Sequence, residues 1–210
     1  MGKGAGATKD LNATVEVDVD DGTSARTDTP APGPIGLDAH SSGSAHVSPS
    51  VTAQVVGYAQ HHNGQRIGDG QCFAFADRAL SSAGARSASD FGSVSDDVDY
   101  VWGTPVSLAD LQAGDILQFR DYRYDRTITT DHADGSSQFV TDFQERPHHT
   151  AIVESVQANG EVVVLEQNAP AGSAVHRAHL FFTAGTTTSG QTTTTISVQG
   201  SFWFYRPQPR

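Results

Sequence analysis

The chain of 210 residues contains one cysteine, Cys72. It stands in Gly70-Gln71-Cys72-Phe73-Ala74-Phe75, where a glycine gives way to a run of helix-forming residues. A cysteine nucleophile needs a favoured thiolate, a base to take its proton and a third group to orient that base. A helix N-terminus supplies the first, because its unpaired N–H groups and positive end lower a thiol pKa. For the others the sequence offers His149, which opens Thr150-Ala151-Ile152-Val153, and Glu166 and Asn168, which follow Val162-Val163-Val164-Leu165. An imidazole can serve as base, and a carboxylate or amide oxygen can hold it in the useful tautomer. Alone, a cysteine on an apolar helical stripe is more often a small buried hydrophobe. Its place at a helix start, together with the histidine-bearing strand, turns the reading towards catalysis. Glu166 points the same way, because an unpaired carboxylate on an apolar face is costly. Asn168, just before Ala169-Pro170, also reads as a plain turn former. The oxyanion formed on attack needs donors. The Cys72 N–H is the first choice, and the side chains of Gln71 and Gln65 are candidates for the second.

These residues need elements to bring them together. Ser48-Pro49 reads as a serine N-cap with proline at the first helical position, followed by Val51, Val55, Val56 and Ala59 at helical spacing and a stop at Gly64. A second helix is expected from near Gly70 to near Gly84, with Cys72, Phe75, Ala76, Ala79 and Leu80 on one stripe. From Asp115 the period changes to two, and strands are expected at 115–120, 128–130, 138–143, 149–156, 161–168, 175–182 and 195–206. Ala133-Asp134-Gly135-Ser136 reads as the turn of an inserted hairpin, and residues 186–195 as a threonine-rich loop. Helices followed by an antiparallel sheet define an α+β domain. Asn159-Gly160 signals a two-residue turn. That register sets Val153 opposite Glu166 and Ala151 opposite Asn168. His149 then shares a face with both, with Asn168 as its diagonal neighbour and Glu166 one step further. A bulge or a longer turn would change which of the two is closer.

Gly70-Gln71-Cys72-Phe73-Ala74-Phe75, Ala113-Gly114-Asp115-Ile116-Leu117, His149-Thr150-Ala151-Ile152-Val153 and Val164-Leu165-Glu166-Gln167-Asn168 resemble the CHAP family, the cysteine, histidine-dependent amidohydrolases/peptidases. That family belongs with the NlpC-type, papain-like cysteine peptidases, and the resemblance covers about residues 50–206. It implies a papain-like α+β fold and a cysteine hydrolase that cleaves amide or peptide bonds in bacterial cell-wall peptidoglycan through a thioester. On that pattern Cys72 is the nucleophile, His149 the general base and then acid, and Glu166 and Asn168 complete the polar set. The family often has glycine where this chain has His148, but only His149 heads the clean alternation. Residues 121–147 form a longer, more polar connection than a simple strand link and are expected to wall the substrate groove. Some members carry an acidic calcium loop ahead of the cysteine. Only Asp69 stands near here, so no metal and no cofactor are expected. Two rival readings keep the scaffold: a catalytically inactive module that binds or assembles, and a cysteine peptidase acting on a non-wall substrate.

Composition narrows the field further. Net charge is −11, with acidic excess on both sides of residue 48, so a nucleic-acid partner is not expected. No run approaches the roughly 18 apolar residues of a membrane helix. Met1-Gly2-Lys3-Gly4 opens a stretch without the apolar core of a secretory signal, so delivery to a wall would need a non-classical or phage-borne route. One cysteine excludes an intramolecular disulfide and a multi-cysteine metal site. Residues 1–48 hold no aromatic and are rich in Gly, Ser, Thr, Asp and Pro. They read as a flexible acidic arm that could dock on a protein partner, with one edge strand at 14–20, ahead of a hydrolase domain at 49–210. His61-His62, His148-His149 and His176 with His179 make a weak zinc reading, since neighbouring histidines point apart. Phe202-Trp203-Phe204-Tyr205 reads as a closing core strand rather than a sugar platform, and Asp96, Asp97 and Asp99 as a solvated loop.

Overall fold

The computed structural model describes residues 49–95 and 97–210; the arm at 1–48, its strand at 14–20 and Asp96 lie outside the described residues. Two helices, α1 (Val51–His61) and α2 (Cys72–Ser82), precede β1 (Thr104–Val106), β2 (Ile116–Asp131), β3 (Ser137–Val156), β4 (Glu161–Glu166), β5 (His176–Phe181), β6 (Gly185–Ser189) and β7 (Thr192–Arg206). Ser50, not Ser48, caps α1: its side chain accepts the Ala53 N–H at 3.1 Å. The helix buries Val55 and Ala59. α2 begins at Cys72 itself, with Gln71 as its N-cap, and buries Phe75, Ala76, Ala79 and Leu80. Burying Phe75 and Leu80 contributes about 1.5–3 kcal/mol each. No helix among the described residues is long and apolar enough to cross a membrane.

The strands form one antiparallel sheet in the order β1-β7-β2-β3-β4-β5, with β6 paired to β7. This is the expected α+β arrangement. Helices cover one face, where Val55, Phe75, Leu80 and Trp102 meet Ile116, Ile152 and Leu165. Leu117, Phe119, Ala151, Val153, Val164 and Leu180 fill the other face. The expected pieces at 115–120 and 128–130 are one continuous strand, β2, and those at 138–143 and 149–156 are one strand, β3. The 133–136 turn joins these two long strands and is not the tip of a separate insertion. Residues 186–195 are no loop either. β-Branched threonines pair across β6 and β7, with Thr186 and Thr188 touching Thr195 and Thr193 through their hydroxyls. The aromatic terminus sits inside the sheet, with β7 between β1 and β2.

Two irregularities decide what the sheet can hold. The β3–β4 turn contains three residues, not two: Gln157 N–H donates to Glu161 O and Gly160 N–H to Gln157 O. A bulge at Glu154 then shifts the register again, from Ser155↔Val163 to Val153↔Val164. Two single-residue shifts restore the expected faces but slide β4 along β3 by two positions, which makes Glu166 the diagonal neighbour of His149, while Asn168, beyond the end of β4, turns away with φ 69°. The second irregularity lies at Asp121 and Pro147, which drop out of the β2–β3 ladder together. Asp121 has φ 52°, and Pro147 has no N–H to give. Beyond this point both strands turn over: β2 presents Leu117 and Phe119 to the sheet's second core and then Tyr122 and Tyr124 to the same core. Gly200 of β7 has φ 84° where it passes this break, and a Cβ there would stand 2.1 Å from Asp121 O. Gly200→Ala should therefore cost at least about 2 kcal/mol, lowering the melting temperature by about 4–8 °C. A thermal melt within 1–2 °C of the parent would refute that account of the break (about 0.5 kcal/mol at this chain length).

Candidate active site

Cys72 enters the site as the first residue of α2, where helix amides lack intrahelical partners. Val153 directs both main-chain groups to the β2 side: its N–H donates to Asp115 O, and its carbonyl accepts from Gly114 N–H. Alternation therefore turns the Thr150 N–H to the opposite edge of β3. The β3–β4 ladder ends at Ile152↔Leu165, so among the described residues no strand takes that N–H. That N–H and the Phe73 N–H instead face the Cys72 sulfur and favour its thiolate. Gln118 steadies the position from below, its Oε1 accepting from Thr150 Oγ1 at 2.8 Å and Trp102 Nε1 at 3.1 Å.

His149 comes to the sulfur from β3. Burial alone would lower its pKa, but hydrogen bonding to Cys72 and Glu166 and their charges outweigh burial and raise it to about 9. Burial alone would raise the Cys72 thiol. Hydrogen bonding and charge from His149, with the Thr150 and Phe73 amides, bring it below its ordinary value. Both directions favour a thiolate–imidazolium pair. His149 Nε2 lies 3.1 Å from Glu166 Oε2, close enough for an ion pair though off the line of a well-aligned N–H···O bond. Glu166 is wholly buried. Burial would raise its carboxyl, and hydrogen bonds and charge from His149 and Arg146 hold it below the ordinary range. Arg146 grips it with two bonds, Nε to Oε2 at 2.8 Å and Nη2 to Oε1. His176 Nε2 stands 3.6 Å from Oε1 on the far side.

The thiol opens into a cleft of about 420 Å³ lined by Gln71, Phe73, Val94, Tyr100, His148 and Thr150 among others. The loop that carries Val94 and Tyr100 is tied to β2, because Arg120 bonds Asp97 at 2.7 Å and Asp99 at 2.9 Å. Those acids anchor a wall of the cleft and are not merely solvated.

The family model of the AIM3/BBC1 cysteine proteinase-fold domain matches residues 44–209. The chain belongs to that family. No curated protein and no solved structure matches it. Membership supports the papain-like cysteine proteinase fold expected from the sequence, while the match is to the AIM3/BBC1 domain and not to the CHAP or NlpC families.

Within this AIM3/BBC1 domain the structure brings Cys72, His149 and Glu166 together and leaves Asn168 aside. Asn168 leaves the strand with φ 69°; its Nδ2 donates to Gln71 Oε1 at 2.8 Å and its Oδ1 accepts from Gly172 N–H at 2.6 Å. It shapes the turn. Gln71 lines the cleft, but Gln65 does not; its Nε2 faces His61 O at 3.4 Å. Of the other grouped histidines, His62 bonds Tyr58 O, His148 bonds Val98 O, His176 bonds Ala174 O beside its approach to Glu166, and His179 bonds Glu161. Among the described residues no cluster of His, Cys, Asp and Glu is arranged to hold a metal ion. Sequence reasoning missed Arg146, which simple alternation sets on the face opposite His149. Pro147 inside a strand was the available sign of a break. It also missed Gln167, whose side chain bonds Ile67 N and O and Gln71 O and so fastens the turn before α2 to the end of β4.

Cys72 should react with iodoacetamide at pH 7 at least about tenfold faster in the folded chain than in urea, and His149→Ala should remove the difference. Labelling confined to the unfolded chain would show that the thiol is inert.

Proposed function

We propose that this chain is a cysteine hydrolase acting on peptide or amide bonds. The observation that carries the reading is the placement of His149 between the Cys72 thiol and the buried Glu166–Arg146 pair. Cys72 Sγ attacks the carbonyl carbon, and the carbonyl oxygen takes the negative charge. The Cys72 N–H at the α2 start is one donor for that oxyanion, and the Gln71 side chain at the cleft rim is the candidate for the second. His149 gives its proton to the leaving amine as the tetrahedral species collapses to a thioester. It then takes a proton from water, which attacks the thioester and releases the acid and the thiolate. Glu166 orients the imidazole and stabilises its charged form. Arg146 keeps Glu166 ionised and fixed. Asn168 takes no part in the chemistry.

Cell-wall peptides are the substrate that the CHAP resemblance brings to this reading, and they belong in the first assay beside unfolded protein. Cys72→Ala should abolish hydrolysis with the melting temperature retained; turnover in that variant would remove the proposal. Asn168→Ala should lower kcat less than about tenfold, whereas Glu166→Gln should lower it by about 100-fold or more. kcat/KM should follow a bell, with its basic limb near pH 9 as His149 loses the proton needed by the leaving group.

A further inference from the structure

Beyond the Asp121/Pro147 break, β3 is an open edge among the described residues. At the hairpin tip His132 N–H donates to Ser136 O at 2.8 Å, and Asp131 N–H donates away from β3, to Gln191 O at 2.9 Å. Alternation from Ser136 directs the main-chain groups of Gln138, Val140, Asp142 and Gln144 at β2, and those of Phe139, Thr141, Phe143 and Glu145 to the other side. β4 pairs with β3 only between Ile152 and Val156, so among the described residues no strand occupies that side here. One of the outward carbonyls, Glu145 O, is reached by Arg146 Nη1 at 2.7 Å. The others remain as a row of strand donors and acceptors. Apolar side chains stand beside them in water: Phe139 is 74% exposed, Val140 54% and Phe143 54%. Such an edge is a template for another extended chain.

The edge leads to the catalytic cleft. A groove of about 720 Å³ is walled on one side by β3 from Phe143 to His149 and on the other by Ala169, Pro170 and β5. It shares His148 and His149 with the cleft of Cys72. His149 is the group that protonates a leaving amine, so the leaving segment of a substrate lies on this side.

We propose that the open edge of β3 binds the leaving-group side of an extended polypeptide substrate by strand addition. Main-chain hydrogen bonds to Phe139, Thr141, Phe143 and Glu145 hold the peptide, and its side chains lie along Phe139 and Phe143. The inference names a substrate class for the hydrolase reading and rests on it for the direction of the peptide. Binding itself needs no turnover.

The test uses the full chain carrying Cys72→Ala, which leaves the peptide intact. The probe is a fluorescein-labelled decapeptide of alternating threonine and valine with two terminal lysines, followed by anisotropy. A second probe carries an N-methyl group on every residue, which removes the strand donors and keeps the apolar surface. The first should bind at least about tenfold more tightly than the second. Amide exchange read by NMR should slow on binding at residues 139, 141, 143 and 145, while 140, 142 and 144 are protected already. Thr141→Pro, which removes one outward N–H and no main-chain bond to β2 (only the Thr141–Thr127 hydroxyl contact at 3.3 Å), should weaken binding by about fivefold with the fold retained. Absent binding, equal binding of both probes, or protection elsewhere would overturn the proposal. So would a concentration-dependent dimer that protects the same four amides without peptide, since a second copy would then own the edge. Turnover by the unmodified chain is read separately, so loss of the hydrolase reading leaves a positive binding result standing.

Discussion

Glu166 sets the terms on which this molecule is built. Its carboxylate is wholly buried, and taking one such ion out of water costs several kcal/mol even after relaxation. Arg146 offsets that with two hydrogen bonds, and His149 adds a second cationic neighbour. Compared with apolar residues of the same volume, a buried pair of this kind adds little net stability. Removing one member costs about 3–5 kcal/mol, because the other is stranded. The pair is best understood through geometry: it makes a fixed anionic surface against which one edge of the imidazole rests, leaving the rest of the ring for the sulfur.

That requirement reaches far into the sheet. Arg146 and His149 are three residues apart on one strand, and strict alternation would put them on opposite faces. The strand has to turn over between them, and it does so at Pro147, opposite Asp121. The turnover brings carbonyl oxygens close to β7, where only a residue without a Cβ can pass, and Gly200 occupies that place. One buried carboxylate thus accounts for a proline inside a strand, a left-handed aspartate and a glycine on a neighbouring strand. None of these touches the thiol.

What the sequence reveals and what it hides divides along the range of the forces involved. The α2 stripe, the apolar strands and the placement of Cys72 at a helix start follow from local periodicity, and all are present. The shared face of His149 and Glu166 was legible as well, because two register shifts cancelled in parity. Their closeness was not. Asn159-Gly160 signals a turn but does not by itself distinguish a two-residue loop from the three-residue one found, and nothing in Val153-Glu154-Ser155 marks the bulge. The same limit hid Arg146: period-two reasoning assumes an unbroken pleat, and the break depends on cross-strand contacts among three strands. Nothing in the local sequence sets Gln118 and Gln167 apart from other polar strand residues. Their buried amides became meaningful only when tertiary packing supplied Trp102, Thr150 and Ile67 as partners.

The end of β4 shows how sheet and site compete for one donor. A β4 that continued in register past Glu166 would pair with the Thr150 N–H and complete the ladder. It would also fill the space where α2 delivers Cys72. The chain instead swings away at Asn168 into the left-handed region, where hydrogen bonds to Gly172 and Gln71 hold the turn. The lost ladder bonds cost little net stability each, about 0.5–1.5 kcal/mol, since a charged sulfur is a good substitute acceptor. In return the thiolate gains an amide that a helix start alone does not provide. A thiolate favoured by one amide from its own helix and another from the histidine strand is drawn towards both elements at once. Strand termination at Glu166 therefore couples the positions of nucleophile and base directly, with no need for a rigid loop between them.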